Sequence, residues 1–291
     1  MREFGADMVF IVGSPRSGTT WMQRLLACHP LVATGQESSL FESYIGPQLR
    51  AWQRDVAENS GRMVGLGCHL REEDFLVALQ AYMQALMQPM RAATPEGGLF
   101  VEKTPSHALF LPEIAQLLPQ ARVIHVVRDV RDVVRSLLTA ARSWGADWAP
   151  ADARQAAQMW SRHVNAALAG GREMGPKRFC TVRYEDLMAD THSVLERVCC
   201  HFLGMAWDGE GLAKAVARNS IRRGLNGKAV SGVPLPLRGE WAARLGQDVV
   251  PEPEGFVGYA PRRLGPVERY HVWREGRRAM ERAGYAKGGL W

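Results

Sequence analysis

The segment Gly13-Ser14-Pro15-Arg16-Ser17-Gly18-Thr19-Thr20 has the glycine spacing of a loop whose backbone N–H groups wrap a phosphate at the start of a helix. One position departs from a nucleoside triphosphatase: Thr19 stands where the lysine that bridges the β and γ phosphates belongs. Arg16, inside the loop, is the replacement cation. Further along, the apolar run Val123–Val127 ends in Arg128, where an ATPase has the aspartate that holds magnesium. An arginine at that place invites a second anion and implies no metal, and Asp129 behind it reads as a helix cap. The formal charge of +6 suits an anionic ligand. It suits nucleic acid or a membrane surface equally well, so charge alone selects nothing.

Two such sites need a scaffold that carries each to the same edge. Met8 to Val12 reads as a buried strand stopping at Gly13, followed by a helix from Thr19 to Cys28. Asp74 to Met90 has helical spacing with Asp74 as its cap. Leu99 to Glu102 and Val123 to Val127 read as strands, and Val130 to Ala141 as the helix behind the second of them. Asp152 to Met174 reads as a long helix broken late by Gly170-Gly171. A strand from Arg178 to Tyr184 and a helix from Thr191 to Leu203 follow. Alternating strands and helices imply an α/β, P-loop-type three-layer fold with a central parallel sheet flanked by helices.

The length of 291 residues and the 46% hydrophobic content support one domain over residues 1–291. Ser220 to Pro261 is rich in Gly, Pro and Arg and reads as a long loop or flap. Five cysteines without a C-x-x-C pair argue against a disulfide framework and a zinc site, and favour a reducing, cytoplasmic setting. The first apolar run is too short for a signal peptide, and no stretch is long enough to insert into a membrane.

With these segments set out, the chain resembles the family of sulfotransferases that use 3'-phosphoadenosine 5'-phosphosulfate (PAPS). The family's 5'-phosphosulfate loop reads much like Pro15-Arg16-Ser17-Gly18-Thr19-Thr20-Trp21. The resemblance implies that Arg16, Ser17, Gly18, Thr19, Thr20 and Trp21 hold the phosphosulfate. It implies further that Arg128 and Ser136 grip the 3'-phosphate, with Tyr184 of Tyr184-Glu185-Asp186-Leu187 near the nucleotide. Gln36-Glu37, after His29-Pro30, and Glu102-Lys103-Thr104-Pro105 are similar to segments of the branch that sulfates protein tyrosines and carbohydrates. On that likeness Glu37 is the catalytic base, Lys103 the cation at the leaving phosphate, and Arg16 a further catalytic cation. The phenol and steroid enzymes have a histidine two residues after the lysine. Here that place is Pro105, and His107 is displaced by two. At the C-terminal side Arg222-Arg223-Gly224 and Arg238-Gly239-Glu240-Trp241 compete for the last nucleotide contact, with Arg238 favoured by its tryptophan.

PAPS is then a co-substrate and no metal is required. The acceptor is a small-molecule, glycan or peptide hydroxyl, with Phe41, Tyr44, Trp144, Trp148 and Trp160 as candidate pocket aromatics. Two rivals stand beside this reading. A divergent P-loop kinase would need the missing lysine and strand-end aspartate. A nucleic-acid binder would use the arginines of Arg218 to Arg238 and of a last helix, Arg262 to Arg282, but Glu268, Glu275 and Glu281 interrupt the latter.

Overall fold

The computed structural model describes residues 4–59, 61–218 and 263–285. Strand β1, Met8–Gly13, is buried at every position. Its two faces feed different cores, Met8, Phe10 and Val12 on one side and Val9 and Ile11 on the other. A strand covered on both faces reads as an unbroken apolar run, which is why β1 is visible in the sequence. Around it lie β2 (Val32–Thr34), β3 (Leu99–Lys103), β4 (Arg122–Val127) and β5 (Phe179–Arg183), in the order β2-β3-β1-β4-β5. Every pairing is parallel.

From β1 the chain runs through α1 (Thr19–Leu26) to β2, and from β3 through α4 (Leu111–Leu117) the other way to β4. Residues of α1 pack in the core of Val9 and Ile11, whereas those of α4 pack in the core of Met8, Phe10 and Val12. The two connections therefore leave adjacent strands on opposite faces. The carboxyl ends of β1 and β3 open a crevice at this switch point, where α/β sheets bind ligands. The α4 face also holds α2 (Gly46–Glu58) and α3 (Glu72–Arg91).

Beyond β4, α5 (Val130–Ala141), α6 (Ala153–Met174) and a C-terminal helix, Pro266–Arg282, share a third core. That last helix buries Val272, Gly276, Ala279 and Met280, so its arginines occupy the outer face of a packed element. Between α6 and it come α7 (Tyr184–Ala189), α8 (Thr191–Glu196) and α9 (Gly209–Arg218), with a π-helical turn Arg197–Phe202 after α8. No described helix is long and apolar enough to cross a membrane.

Two expectations need correction. Helix α6 runs unbroken through Gly170-Gly171, where an added Cβ would lie 2.5 Å from Leu111 Cβ at the first position and 2.4 Å from the Phe179 ring at the second. The glycines mark close approach and do not stop the helix. Asp74 is not the cap of α3, which starts earlier at Glu72 with Arg71 preceding it; Asp74 instead accepts from Arg71 Nε at 3.0 Å.

His125, in the middle of β4, is fully buried and stacks on Phe179 at 5.9 Å. Among the described residues neither ring nitrogen has a partner. Burial, with a smaller push from His163, lowers its pKa from 6.5 to about 3. The folded value lies below the unfolded one, so as pH falls past 6.5 the unfolded chain gains a proton first and stability drops. His125→Leu should therefore stabilise the protein in acid. One pKa unit corresponds to about 1.4 kcal/mol, giving roughly 2 kcal/mol more at about pH 5 than at about pH 8 by urea unfolding. Equal effects at both pH values would refute the neutral buried ring.

Candidate active site

The β1–α1 loop is a tight turn in which Ser17 N–H donates to the Ser14 carbonyl at 3.1 Å. Arg16 has φ 72 and Gly18 φ 97, so the loop passes twice through the left-handed region. Glycine is required at the second point, since a Cβ there would lie 2.4 Å from Tyr184 Cδ2. The first turn of α1 has no side-chain cap and no acidic residue, which leaves its amide dipoles facing the crevice. Ser17 Oγ is buried without a hydrogen-bond partner among the described residues. A buried orphan hydroxyl beside an uncapped helix start fits an anion's oxygens.

Arg128 lies one residue past β4 and places its guanidinium 4.2 Å from the centre of the Tyr184 ring. Asp132 Oδ2 lies 3.8 Å from it, and Arg128 Nε is buried without a hydrogen-bond partner among the described residues. The turn carrying Arg128 is well held. Trp160 Nε1 donates to the Arg128 carbonyl at 2.9 Å, and Asp129 caps α5 by accepting from Arg131 N at 2.8 Å. Glu185 accepts from Asp129 N at 2.9 Å and from the Tyr285 hydroxyl at 2.8 Å. Burial and this carboxylate push the Tyr285 phenol pKa up.

The two cationic loops adjoin. Arg16 Nε donates to Ser136 Oγ on α5 at 2.9 Å. Tyr184 packs against Gly18, against Trp21 with ring centres 5.6 Å apart, and beneath Arg128. Arg16, Ser17, Gly18, Thr19, Thr20, Trp21, Arg128, Ser136 and Tyr184 thus gather at one edge of the sheet. Arg222, Arg223 and Arg238 lie outside the described residues.

Lys103 ends β3 opposite Ile11 of β1, is 6% exposed, and donates through Nζ to Glu37 Oε1. Glu37 comes from the segment after β2, and about half of its side chain meets solvent. Neighbouring Glu102 is buried and accepts from Ser38 Oγ at 2.7 Å, Thr104 Oγ1 at 2.7 Å and His107 Nδ1 at 2.9 Å. Burial pushes this carboxyl up, but the His107 ring and the bonds from His107, Thr104 and Ser38 outweigh it and hold the group at about 2.

His107 is fully buried, and its Nε2 accepts from Phe41 N at 3.2 Å. The ring proton therefore sits on Nδ1. With both nitrogens engaged, His107 has none left for an acceptor. Phe41 and Trp160 are also fully buried, so neither lines an open pocket. Tyr44, Trp144 and Trp148 are exposed, and Trp144 faces the Arg16 guanidinium at 5.1 Å. Sequence reasoning missed Glu185, whose only signal was adjacency to Tyr184, and Tyr285, which carried no signal at all.

The strand order and the β1–loop–α1 unit define a P-loop-type three-layer α/β protein. The sulfotransferase family model matches residues 8–209, and the chain belongs to that family. Protein-tyrosine sulfotransferase A of Caenorhabditis elegans is 25% identical over 267 residues, covering 89% of this chain and 67% of the relative. The protein-tyrosine sulfotransferase of Drosophila melanogaster is 25% identical over 252 residues, 84% of this chain and 48% of the relative. Among solved structures, the sulfotransferase domain from the curacin biosynthetic pathway is 20% identical with a TM-score of 0.57, over 96% of this chain and 98% of that one. The sulfotransferase domain of a Synechococcus olefin synthase is 21% identical with a TM-score of 0.55, over 96% and 94%. These two likenesses carry the fold.

Proposed function

We propose that the protein moves a sulfuryl group from PAPS to an acceptor hydroxyl, releasing adenosine 3',5'-bisphosphate (PAP) and a sulfate ester. The observation that carries this reading is the Tyr184 junction: one ring touches the loop at Gly18 and lies under Arg128. One ligand with an anion at each end fits such a pair of neighbours. The loop from Arg16 to Trp21 receives the 5'-phosphosulfate, and Arg128 with Ser136 receives the 3'-phosphate that ATP lacks.

Glu37 accepts the acceptor's proton as its oxygen attacks sulfur, while the bond from sulfur to the bridging oxygen breaks. Lys103 and Arg16 meet the charge that collects on the leaving phosphate. Like phosphoryl transfer, this asks the protein mainly for positioning and electrostatics. Lys103 has three donor hydrogens, so it can leave Glu37 or bridge to it when the phosphate arrives. The relatives named as protein-tyrosine sulfotransferases make a tyrosyl hydroxyl the first acceptor to try, before small-molecule and glycan hydroxyls.

Calorimetry with PAP, with ATP plus magnesium and with a generic oligonucleotide tests the donor assignment; binding of only the latter two would end it. Arg128→Ala sharpens the test. A charged hydrogen bond contributes about 1.5–3 kcal/mol, so PAP should bind roughly ten- to a hundredfold more weakly while AMP, its 3'-dephospho analogue, is scarcely affected. Equal losses for the two ligands would remove Arg128 from the 3'-phosphate.

A further inference from the structure

Glu37 sits on a stretch with little regular structure of its own. Strand β2 stops at Thr34, Ser39 has φ 48, and the π-helical turn Leu40–Ile45 starts without a side-chain cap. Four successive amides of this stretch nevertheless find acceptors. Ser38 N donates to Glu102 Oε1 at 3.2 Å, Ser39 N to Thr104 Oγ1 at 3.3 Å, Leu40 N to Ser38 Oγ at 3.2 Å and Phe41 N to His107 Nε2 at 3.2 Å. Each acceptor other than Glu102 is itself a donor to Glu102: Ser38 Oγ and Thr104 Oγ1 to its Oε1, His107 Nδ1 to its Oε2.

An ionised carboxylate only accepts, so it turns the hydrogens of both hydroxyls and of the imidazole inward. Their lone pairs are then left facing outward, toward the amides of residues 39–41. Glu102 is 2% exposed and His107 wholly buried, so water cannot substitute for either. We infer that Glu102 and His107 are positioning residues: a buried brace that fixes the backbone of residues 38–41 and thereby holds the Glu37 carboxylate at Lys103. The catalytic consequence rests on Glu37 being the base; the bracing itself does not. Lys103 and Thr104 follow Glu102 at one strand end, so the brace ties the base and its cation to the same three residues.

The polarity of the network makes Glu102→Gln informative. A glutamine amide facing His107 would require Nδ1 to accept, moving the ring proton to Nε2, where it meets the Phe41 N–H. Turned the other way, the amide oxygen still accepts from Nδ1, but the nitrogen then faces the Ser38 N–H, donor against donor, so one end of the relay fails in either orientation. Hydrogen exchange followed by mass spectrometry on the full chain tests this. In E102Q and H107L the peptide spanning residues 36–45 should exchange about tenfold faster or more, with the β1 and α1 peptides unchanged. H107Q, which keeps one donor and one acceptor, should recover part of the protection, and it replaces the other two if they fail to fold.

The second arm measures transfer from radiolabelled PAPS to a tyrosyl peptide. The brace variants should lose about tenfold or more in kcat with PAP affinity kept, and adding H107L to E37Q should cost nothing further. Unchanged exchange at 36–45 in a folded variant overturns the brace. Losses that multiply in the double variant overturn its action through Glu37. Full turnover in E37Q alone would instead sink the assignment of the base, leaving the exchange arm to judge the brace.

Discussion

Glu37→Gln should lower turnover about 10²- to 10⁴-fold, the usual contribution of a positioned general base, with PAP affinity nearly unchanged. Glutamine is the sharper choice over alanine. Lys103 is 6% exposed and Glu37 is its acidic partner. Alanine would leave the mostly buried ammonium without that acceptor and so mixes a loss of stability with the loss of chemistry. The amide oxygen of the introduced glutamine still accepts from Lys103 while having no useful basicity. Glu37→Ala should therefore match the turnover loss of Glu37→Gln and in addition lower the melting temperature. The measurement is initial rate against PAPS concentration at saturating tyrosyl peptide. A Glu37→Gln enzyme with full kcat would remove the proton-accepting role.

The contrast between what the sequence disclosed and what it withheld has a physical pattern. Strand β1, its loop and α1 were legible because a strand buried on both faces gives an apolar run and the loop needs glycine at a left-handed position. Arg128 stood out because a cation after an apolar strand is conspicuous. Strand β2 was not legible: three residues, Val32–Thr34, carry no period. The glycines of α6 were misread because their cause lies in Leu111 and Phe179, outside the helix itself. Phe41 and Trp160 looked like pocket aromatics, and only tertiary packing shows that they are core. Glu37 and Lys103 were each named from separate motifs, but their contact depends on β2, which leads into Glu37, lying beside β3, and on the network around Glu102. Long-range polar contacts of that kind leave no local signature.

Lys103→Met should cut turnover about 10²- to 10³-fold, the scale found when a donor aimed at developing charge is removed. Methionine fills much of the lysine stem's volume, so the buried site stays packed. The partner left behind, Glu37, has about half of its side chain in solvent and can be hydrated where it stands. Stability should thus hold or rise, in contrast to Glu37→Ala, which strands the buried member of the pair. The two variants should also differ in ligand binding. PAP carries the charge that the leaving group acquires, so Lys103→Met should weaken PAP by roughly tenfold, whereas Glu37→Gln should not. A Lys103→Met enzyme that keeps both its turnover and its PAP affinity would make the lysine a structural partner of Glu37 alone, and the charge on the leaving phosphate would then fall to Arg16 and the amides of α1.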